Sequence, residues 1–217
     1  MTDSGVTPRP PTTDRRASIL SAALRVIAQS GLHNASVDAV AREARVAAGT
    51  LYRYFASKEA MINALYLEVL AERTRAIVGD LAADAALPDD ARAALSRTWF
   101  GHARWHLEHP DASNLLVQCR RSGILTPDTR EAGQRMDAEG LALFREGVAR
   151  GLLRDLPHEV FWALVAGPIF VLSEMREAGE LEVTDDVLRA TFEGVCRSVL
   201  PTADAGANDR IRTPLRA

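Results

Sequence analysis

The sequence predicts an all-α protein with about nine helices, and three observations support this prediction. Apolar residues recur at helical spacing through most of the 217 residues, and no segment alternates convincingly with the period of a strand. Capping residues, glycines and prolines divide the chain into pieces of helical length. A composition of 47% hydrophobic and 25% charged residues is typical of a globular protein with a sizeable core.

The first sixty residues predict an arm and three helices. Residues 1–12 are rich in Pro, Thr and Ser, which favours disorder. Thr13 or Asp14 can cap a first helix that Gly31 ends. Ser36 can cap a short second helix, and a third short helix covers about residues 47–54.

The remaining helices follow from similar signals. Ser57 precedes a long helix, and Pro88 separates it from a helix over residues 89–109. A shorter helix ends at Gly123, and the next begins at Thr126-Pro127 and runs to about Arg150. The last two helices lie between the breaks at Pro157 and Pro201; Pro168 should kink the first of them, and Thr184 can cap the second. Residues 202–217 predict a flexible tail.

Two short helices joined by a tight turn, with a supporting helix before them, predict a helix-turn-helix unit over residues 13–60. The second of two such helices can enter the major groove of DNA. Residues 1–60 have a net charge of +3, whereas residues 61–217 have −6, a division that permits polyanion binding at the amino-terminal end. We therefore predict a DNA-binding domain at 13–60 and a second domain at 61–201.

The predicted DNA-contacting residues share hydroxyl groups, cationic groups or small size. Arg45 and Arg53 can read base edges, while Lys58 and Tyr52 suit the phosphate backbone. Tyr54 is as well suited to the core as to DNA contact. The full predicted set is Ser36, Arg45, Ala48, Gly49, Thr50, Tyr52, Arg53, Tyr54 and Lys58.

The segment AREARVAAGTLYRYFASKEAM resembles the DNA-binding signature of the tetracycline-repressor-like (TetR/AcrR) transcriptional regulators. The resemblance is dense over residues 16–66 and rests on Ser36, Ala41, Val46, Gly49, Thr50, Leu51, Tyr52, Tyr54, Phe55, Ser57, Lys58 and Glu59. It implies a homodimer with a DNA reader and a ligand-sensing domain, most often a repressor released from a palindromic operator by a small molecule. An activator of the same family is the alternative.

Three residues depart from the family pattern in the reader. Arg45 stands where the family usually has Gly in the turn, and Ala47 stands where Ser or Thr usually caps the recognition helix. Ala48 occupies a position that is often polar. Loss of the cap is expected to cost about 0.5–2 kcal/mol of helix stability.

The sequence pattern of the second domain predicts a ligand cavity and a dimer interface. Bulky rings and titratable groups on residues 89–109 can line a largely apolar cavity with walls from neighbouring helices, although the same residues can simply form core. The cavity candidates are Trp99, His102, Ala103, His106, Leu116, Cys119, Met136, Phe144 and Phe161. The interface candidates on the last two helices are Trp162, Ile169, Leu188, Phe192, Val195 and Val199. Core packing within a monomer is the alternative.

A helical metal-binding enzyme is the rival interpretation. His102 and His106 have the spacing of two ligands on one helical face, but Ala103 stands where a metalloprotease needs Glu. The sequence predicts no cofactor and no enzyme. The longest apolar run has twelve residues, too short for a membrane span, and the amino-terminal residues do not resemble a secretion signal. With only two distant cysteines, we expect a cytoplasmic protein.

Overall fold

The computed structural model describes residues 12–82 and 90–201, and these ranges form nine α-helices without a strand. The predicted all-α fold is therefore confirmed. The predicted arm (residues 1–12, apart from Thr12), the break at Pro88 and the predicted tail at 202–217 lie outside the described residues. The helices are α1 (Thr12–Ser30), α2 (Val37–Glu43), α3 (Ala48–Tyr52), α4 (Lys58–Ala82), α5 (Ala91–Glu108), α6 (Pro110–Ser122), α7 (Pro127–Ala149), α8 (His158–Glu177) and α9 (Asp185–Val199).

Several helix ends follow the predicted capping signals, but α1 begins at Thr12, so the predicted caps Thr13 and Asp14 lie within it. The Ser36 hydroxyl accepts a hydrogen bond from the Ala39 backbone N–H at 3.1 Å, and the Thr184 hydroxyl accepts one from Val187 at 3.3 Å. Gly31 ends α1 with a φ of 81°, a left-handed conformation that glycine adopts without steric cost. Helix α8 runs through Pro168 to Glu177.

The described residues divide into two compact units, and the division differs from the predicted domains. Unit 1 contains the residues up to Val69 together with Asp111–Arg130, and unit 2 contains Leu70–Pro110 together with the residues from Glu131 onward. The predicted boundary at residue 60 thus falls inside unit 1. Helix α6 also belongs to unit 1, although the prediction placed it in the ligand-binding domain.

Unit 1 contains α1, the two short helices α2 and α3, α6 and the first half of α4. Its fully buried side chains include Ile19, Leu51 and Ile62. Asn63 is a buried polar residue at 6% exposure, and its amide joins α4 to the segment before α7. The Asn63 side-chain N–H groups donate to the Glu59 and Ile124 carbonyls, and its oxygen accepts from the Thr126 N–H. This satisfies a polar group whose burial would otherwise be costly.

Unit 2 has its own core where α5, α8 and α9 pack together. The core cluster is aromatic at its centre, with Trp99, Phe100 and Phe192 in mutual contact at ring-centroid distances of 5.1–5.6 Å. The Trp99 indole N–H donates to the Val165 carbonyl at 2.9 Å, so α5 and α8 are also joined by a buried hydrogen bond.

Helix α8 stands out by its hydropathy. Among the described residues it is the one helix long and apolar enough to meet the length and composition of a membrane span, a test that core helices also pass. Only 33% of its most apolar window is buried within the chain. Val171 is 53% exposed and Val160 is 36% exposed. Much of an unusually apolar helix therefore faces outward from unit 2.

Candidate nucleic-acid interface and cavity

A short helix held by one buried side chain forms the centre of the candidate nucleic-acid interface. Helix α3 has five residues, and Leu51 anchors it with 0% exposure. The preceding residue, Ala47, is extended and makes no side-chain hydrogen bond to the start of the helix. So short a helix depends on packing for its stability. With Leu51 buried, the side chains on the opposite side of α3 remain at the surface.

The turn between α2 and α3 contains a non-glycine residue in the left-handed region. Arg45 has a φ of 55°, and it is the only such non-glycine residue among those that the structure describes. Its N–H donates to the Arg42 carbonyl at 3.1 Å, and the Val46 N–H donates to the Ala41 carbonyl at 2.9 Å. The turn thus adopts the conformation for which a glycine would be best suited.

Around α3 the structure exposes one aromatic ring and several cationic groups. Tyr52 is 55% exposed, the largest value among the large hydrophobic residues described. Arg42, Arg45 and Arg53 are exposed, and none of them forms an ion pair with a described carboxylate. Unpaired guanidinium groups beside an exposed ring suit a polyanion with base edges.

The predicted contact residues differ in their exposure and role. Ser36, Arg45, Gly49, Tyr52 and Arg53 are exposed, and Ala48, Thr50, Tyr54 and Lys58 are partly buried. The Ser36 hydroxyl caps α2. Arg53 and Tyr54 lie beyond the last residue of α3, in the turn that follows it, so the predicted helix at 47–54 was too long.

Lys58 has a structural partner as well as a predicted phosphate contact. Its ammonium donates to the His33 carbonyl at 2.8 Å, which fixes the start of α4 against the segment between α1 and α2. An ammonium has three N–H donors, so two remain for another acceptor. Arg25 and Glu43 form an ion pair at 2.6 Å between α1 and α2, which removes one nearby acidic group from competition.

Unit 2 contains a cavity of about 120 Å³ between α5, α7 and α8. Four of the residues that the sequence analysis proposed for ligand binding line it: Trp99, His102, Phe144 and Phe161. The sequence reasoning missed much of the wall, although the helical spacing of Gly140, Phe144 and Gly147 on α7 could have revealed it. The lining residues that were not predicted are Ile77, Ala91, Ala94, Leu95, Thr98, Gly140, Leu143, Gly147, Leu152, Leu153, Trp162 and Val165.

Five predicted cavity residues do not line this cavity. Leu116 and Cys119 are buried in unit 1, because α6 packs there, and burial raises the pKa of the Cys119 thiol to about 11. Ala103 and His106 are buried in unit 2 away from the cavity wall, and Met136 is half-buried elsewhere on α7. Spacing along one helix could not show which side of a residue faces a space and which faces packed neighbours.

The two histidines of α5 form a hydrogen-bonded pair. The His102 Nε2 and His106 Nε2 atoms are 2.9 Å apart, so one ring donates to the other. Burial lowers the pKa of His102 well below its ordinary value and that of His106 to about 3, with repulsion from Arg73 acting in the same direction. Within the residues described, no group of three or more His, Cys, Asp or Glu side chains could hold a metal ion. The metal-enzyme alternative has no geometric support there.

Four of the six predicted interface residues lie in the core of unit 2. Ile169, Phe192, Val195 and Val199 are 0–5% exposed because they form the core of unit 2 with α5. Residues so deeply buried have no surface to offer a partner. Trp162 and Leu188 are half-buried, and Trp162 borders the cavity.

Comparisons with known proteins agree with the geometry of unit 1. A family model described as bacterial regulatory proteins, tetR family, matches residues 19–65. The HTH-type transcriptional regulator UidR of Escherichia coli (strain K12) is 42% identical over 53 residues, which are 24% of this chain and 27% of UidR. The chain therefore matches only about a quarter of the length of UidR.

Other similar proteins extend over nearly the whole chain. YdeS, an HTH-type transcriptional regulator of Bacillus subtilis (strain 168) described as uncharacterized, is 30% identical over 198 residues, covering 86% of this chain and 92% of YdeS. The structure of a TetR family regulator from Marinobacter aquaeolei VT8 has a TM-score of 0.79 at 24% identity, covering 88% and 97% of the two chains. A TetR family regulator from Vibrio parahaemolyticus has a TM-score of 0.70 at 28% identity, covering 87% of this chain and 100% of that one.

Proposed function

Because this chain belongs to the tetR family of bacterial regulatory proteins, we propose that it is a sequence-specific DNA-binding transcription regulator rather than an enzyme. The observation that carries the proposal is the exposed surface around α3. There Tyr52 and the unpaired Arg45 and Arg53 project from a helix-turn-helix that buried Leu51 holds in place. We propose that Arg45 and Arg53 read base edges and that Tyr52 and Lys58 contact the phosphate backbone.

We further propose that the protein is a cytoplasmic homodimer that represses from a palindromic operator. A twofold symmetric dimer presents two copies of α3, and its half-sites are then spaced near one helical turn of DNA or a multiple of it. The outward apolar face of α8 supports dimerisation, because an exposed apolar surface of this kind marks an interaction site. A small lipophilic molecule in the cavity of unit 2 would release the repressor.

The test is a selection from randomised DNA sites at two salt concentrations, with Arg45→Ala, Arg53→Ala and Lys58→Ala compared with the parent. Loss of a base contact should cost about 1–3 kcal/mol and broaden the preference at one symmetric pair of positions. Loss of a phosphate contact should weaken binding to all DNA sequences alike. It should also reduce the slope of log binding constant against log salt concentration by about one. Arg145→Ala is the matched control, because it removes the same exposed charge from unit 2.

Two results would contradict parts of this proposal. If no sequence is enriched by the parent protein, sequence-specific DNA binding is wrong. If both arginine variants keep the parental sequence preference and lose only affinity, base reading lies elsewhere on the protein. Lys58→Ala also removes the bond to His33, so its unfolding curve is measured beside its salt slope.

A further inference from the structure

The cavity of unit 2 has an uncharged wall. Its sixteen lining residues include no Asp, Glu, Lys or Arg among those that the structure describes, and four aromatic rings contribute to it. An ion that entered such a space would lose its hydration without gaining a counter-charge from a lining residue, which is unfavourable. The wall therefore selects against carboxylates, phosphates and ammonium groups.

The cavity is also small. Its volume of about 120 Å³ is comparable with that of an engineered protein cavity of roughly 150 Å³ that binds benzene. The rings of Trp99, Phe144, Phe161 and Trp162 favour a flat, polarisable molecule that can contact them. A single six-membered ring with one small substituent matches this space.

Most of the polar side-chain groups in the wall already have partners. The Trp99 indole N–H donates to the Val165 carbonyl at 2.9 Å. The Thr98 hydroxyl donates to the backbone carbonyls of Ala94 and Leu95 at 3.2 and 3.1 Å. Neither side chain has a donor left for a ligand.

His102 is the exception. Its Nε2 atom is bonded to His106, and its Nδ1 atom has no hydrogen-bond partner among the described residues. If Nε2 accepts the hydrogen bond from His106, the ring hydrogen is on Nδ1, which can donate to a ligand; if Nε2 donates to His106, Nδ1 can accept. The ring stays neutral, since burial together with His106 and Arg73 holds its pKa well below the ordinary value.

From this wall we infer that the effector is an uncharged, single-ring molecule with one hydrogen-bonding group, which His102 recognises. This inference rests on the proposed function for its regulatory meaning, but not for the binding itself. His102 supplies specificity, because a ligand hydroxyl without a partner in this cavity would be penalised by its lost hydration. The aromatic walls supply the affinity.

The test uses two pairs of probes that differ in one property each, added to the full-length protein without DNA. Phenol and toluene differ in the hydroxyl group, and benzamide and benzoate differ in charge. Binding is measured by isothermal calorimetry and by tryptophan fluorescence, to which the cavity-lining Trp99 and Trp162 contribute. We expect phenol to bind at least as tightly as toluene, and benzamide to bind at least tenfold more tightly than benzoate.

Variants locate the site and assign the recognition. In His102→Leu, the affinity for phenol should fall at least tenfold, while the affinity for toluene should stay within threefold of the parental value. His109→Leu is the matched control, since His109 does not line the cavity. Gly140→Leu should weaken every neutral probe at least tenfold, because a Cβ there has room beside Trp162 at 3.9 Å and the longer side chain would fill the space.

The inference is overturned if benzoate binds as well as benzamide, or if the phenol-to-toluene ratio is unchanged in His102→Leu. It is also overturned if Gly140→Leu binds all probes normally. If His102→Leu does not fold, the two probe pairs still test the inference on the parent protein. Toluene binding tenfold more tightly than phenol would contradict a role for His102. A protein that binds phenol but keeps its operator affinity would instead contradict the proposed ligand-released repression, and the two failures are thereby distinguished.

Discussion

At Arg45 the backbone conformation and the side-chain chemistry make opposite demands. The left-handed φ of 55° would suit glycine, yet the residue presents an exposed guanidinium beside α3. A non-glycine residue in this region is destabilised by about 1–2 kcal/mol. A residue that is locally unfavourable for folding is expected where it contributes to function.

We therefore predict that Arg45→Gly raises the free energy of unfolding by about 1 kcal/mol and weakens specific DNA binding. Arg45→Ala is the matched control, because it removes the guanidinium but keeps the strained backbone. It should lose the same DNA affinity without the gain in stability. Chemical denaturation and DNA titration measure the two effects, and an Arg45→Gly variant with parental DNA affinity would show that Arg45 makes no contact.

The buried histidine pair predicts a pH dependence of stability. The pKa of His106 is about 3 in the folded protein and near 6.5 in the unfolded chain, so the unfolded chain takes up the proton first. Stability from this group is complete above pH 6.5 and is lost as the pH falls toward 3, at up to about 1.4 kcal/mol per pH unit. His106→Phe should flatten the curve of unfolding free energy in this window. The same substitution at the exposed His33 is the control, and equal slopes in both variants would contradict the prediction.

Among the elements, α3 is the least self-sufficient. It has five residues, no capping side chain at Ala47 and one fully buried anchor, Leu51. Its order therefore depends on the packing of Leu51 and on the turn before it. Ala47 has the extended conformation of a helix cap, with φ −69° and ψ 144°, so a serine could be accommodated without a change of backbone.

Ala47→Ser should stabilise unit 1 by about 1 kcal/mol, because the hydroxyl can accept a hydrogen bond from an N–H at the start of α3. The expected observation is a higher denaturant midpoint with an unchanged slope. Ala163→Ser places the same hydroxyl inside α8 and should give no such gain. A midpoint equal to that of the parent would mean that α3 is already fixed by its contacts.

The order and type of the helices were predictable from the sequence, because their signals are local. Ser36 and Thr184 cap their helices as their positions predicted, and Gly31 has the left-handed φ expected of a helix end. The place of α6 was not predictable, since nothing local shows that Asn63 binds the segment that follows it. For the same reason the cavity was only partly identified. Trp99 and Cys119 are both buried residues of neighbouring helices, and only long-range packing places them in different units.

For the whole molecule, we predict that the proposed dimer forms through the outward face of α8. Val171 is an apolar residue of α8 that is 53% exposed, whereas Phe192 and Val195 of α9 are buried in the core. Val171→Arg should therefore give folded monomers, because it places a charge on the exposed apolar face. Light scattering measures the mass, and circular dichroism shows that the helices remain.

Two further variants make this prediction specific. Ala138→Arg adds the same charge to an exposed site on α7 and should leave the dimer intact. Phe192→Arg should unfold unit 2 rather than separate folded subunits, since it buries a charge in the core. A dimer that persists in Val171→Arg and also in Val160→Arg would move the interface away from this face.

The contact between Lys58 and His33 has a practical consequence, since Lys58 is the only lysine in the chain. An amine-selective acylating reagent has one side chain to modify, and that side chain lies in the proposed DNA reader. Acylation needs the free amine, so the His33 carbonyl and any bound phosphate, which hold the nitrogen as an ammonium, slow the reaction. If Lys58 contacts phosphate as proposed, its modification should slow when DNA is bound, and peptide mass spectrometry would follow this without an engineered label.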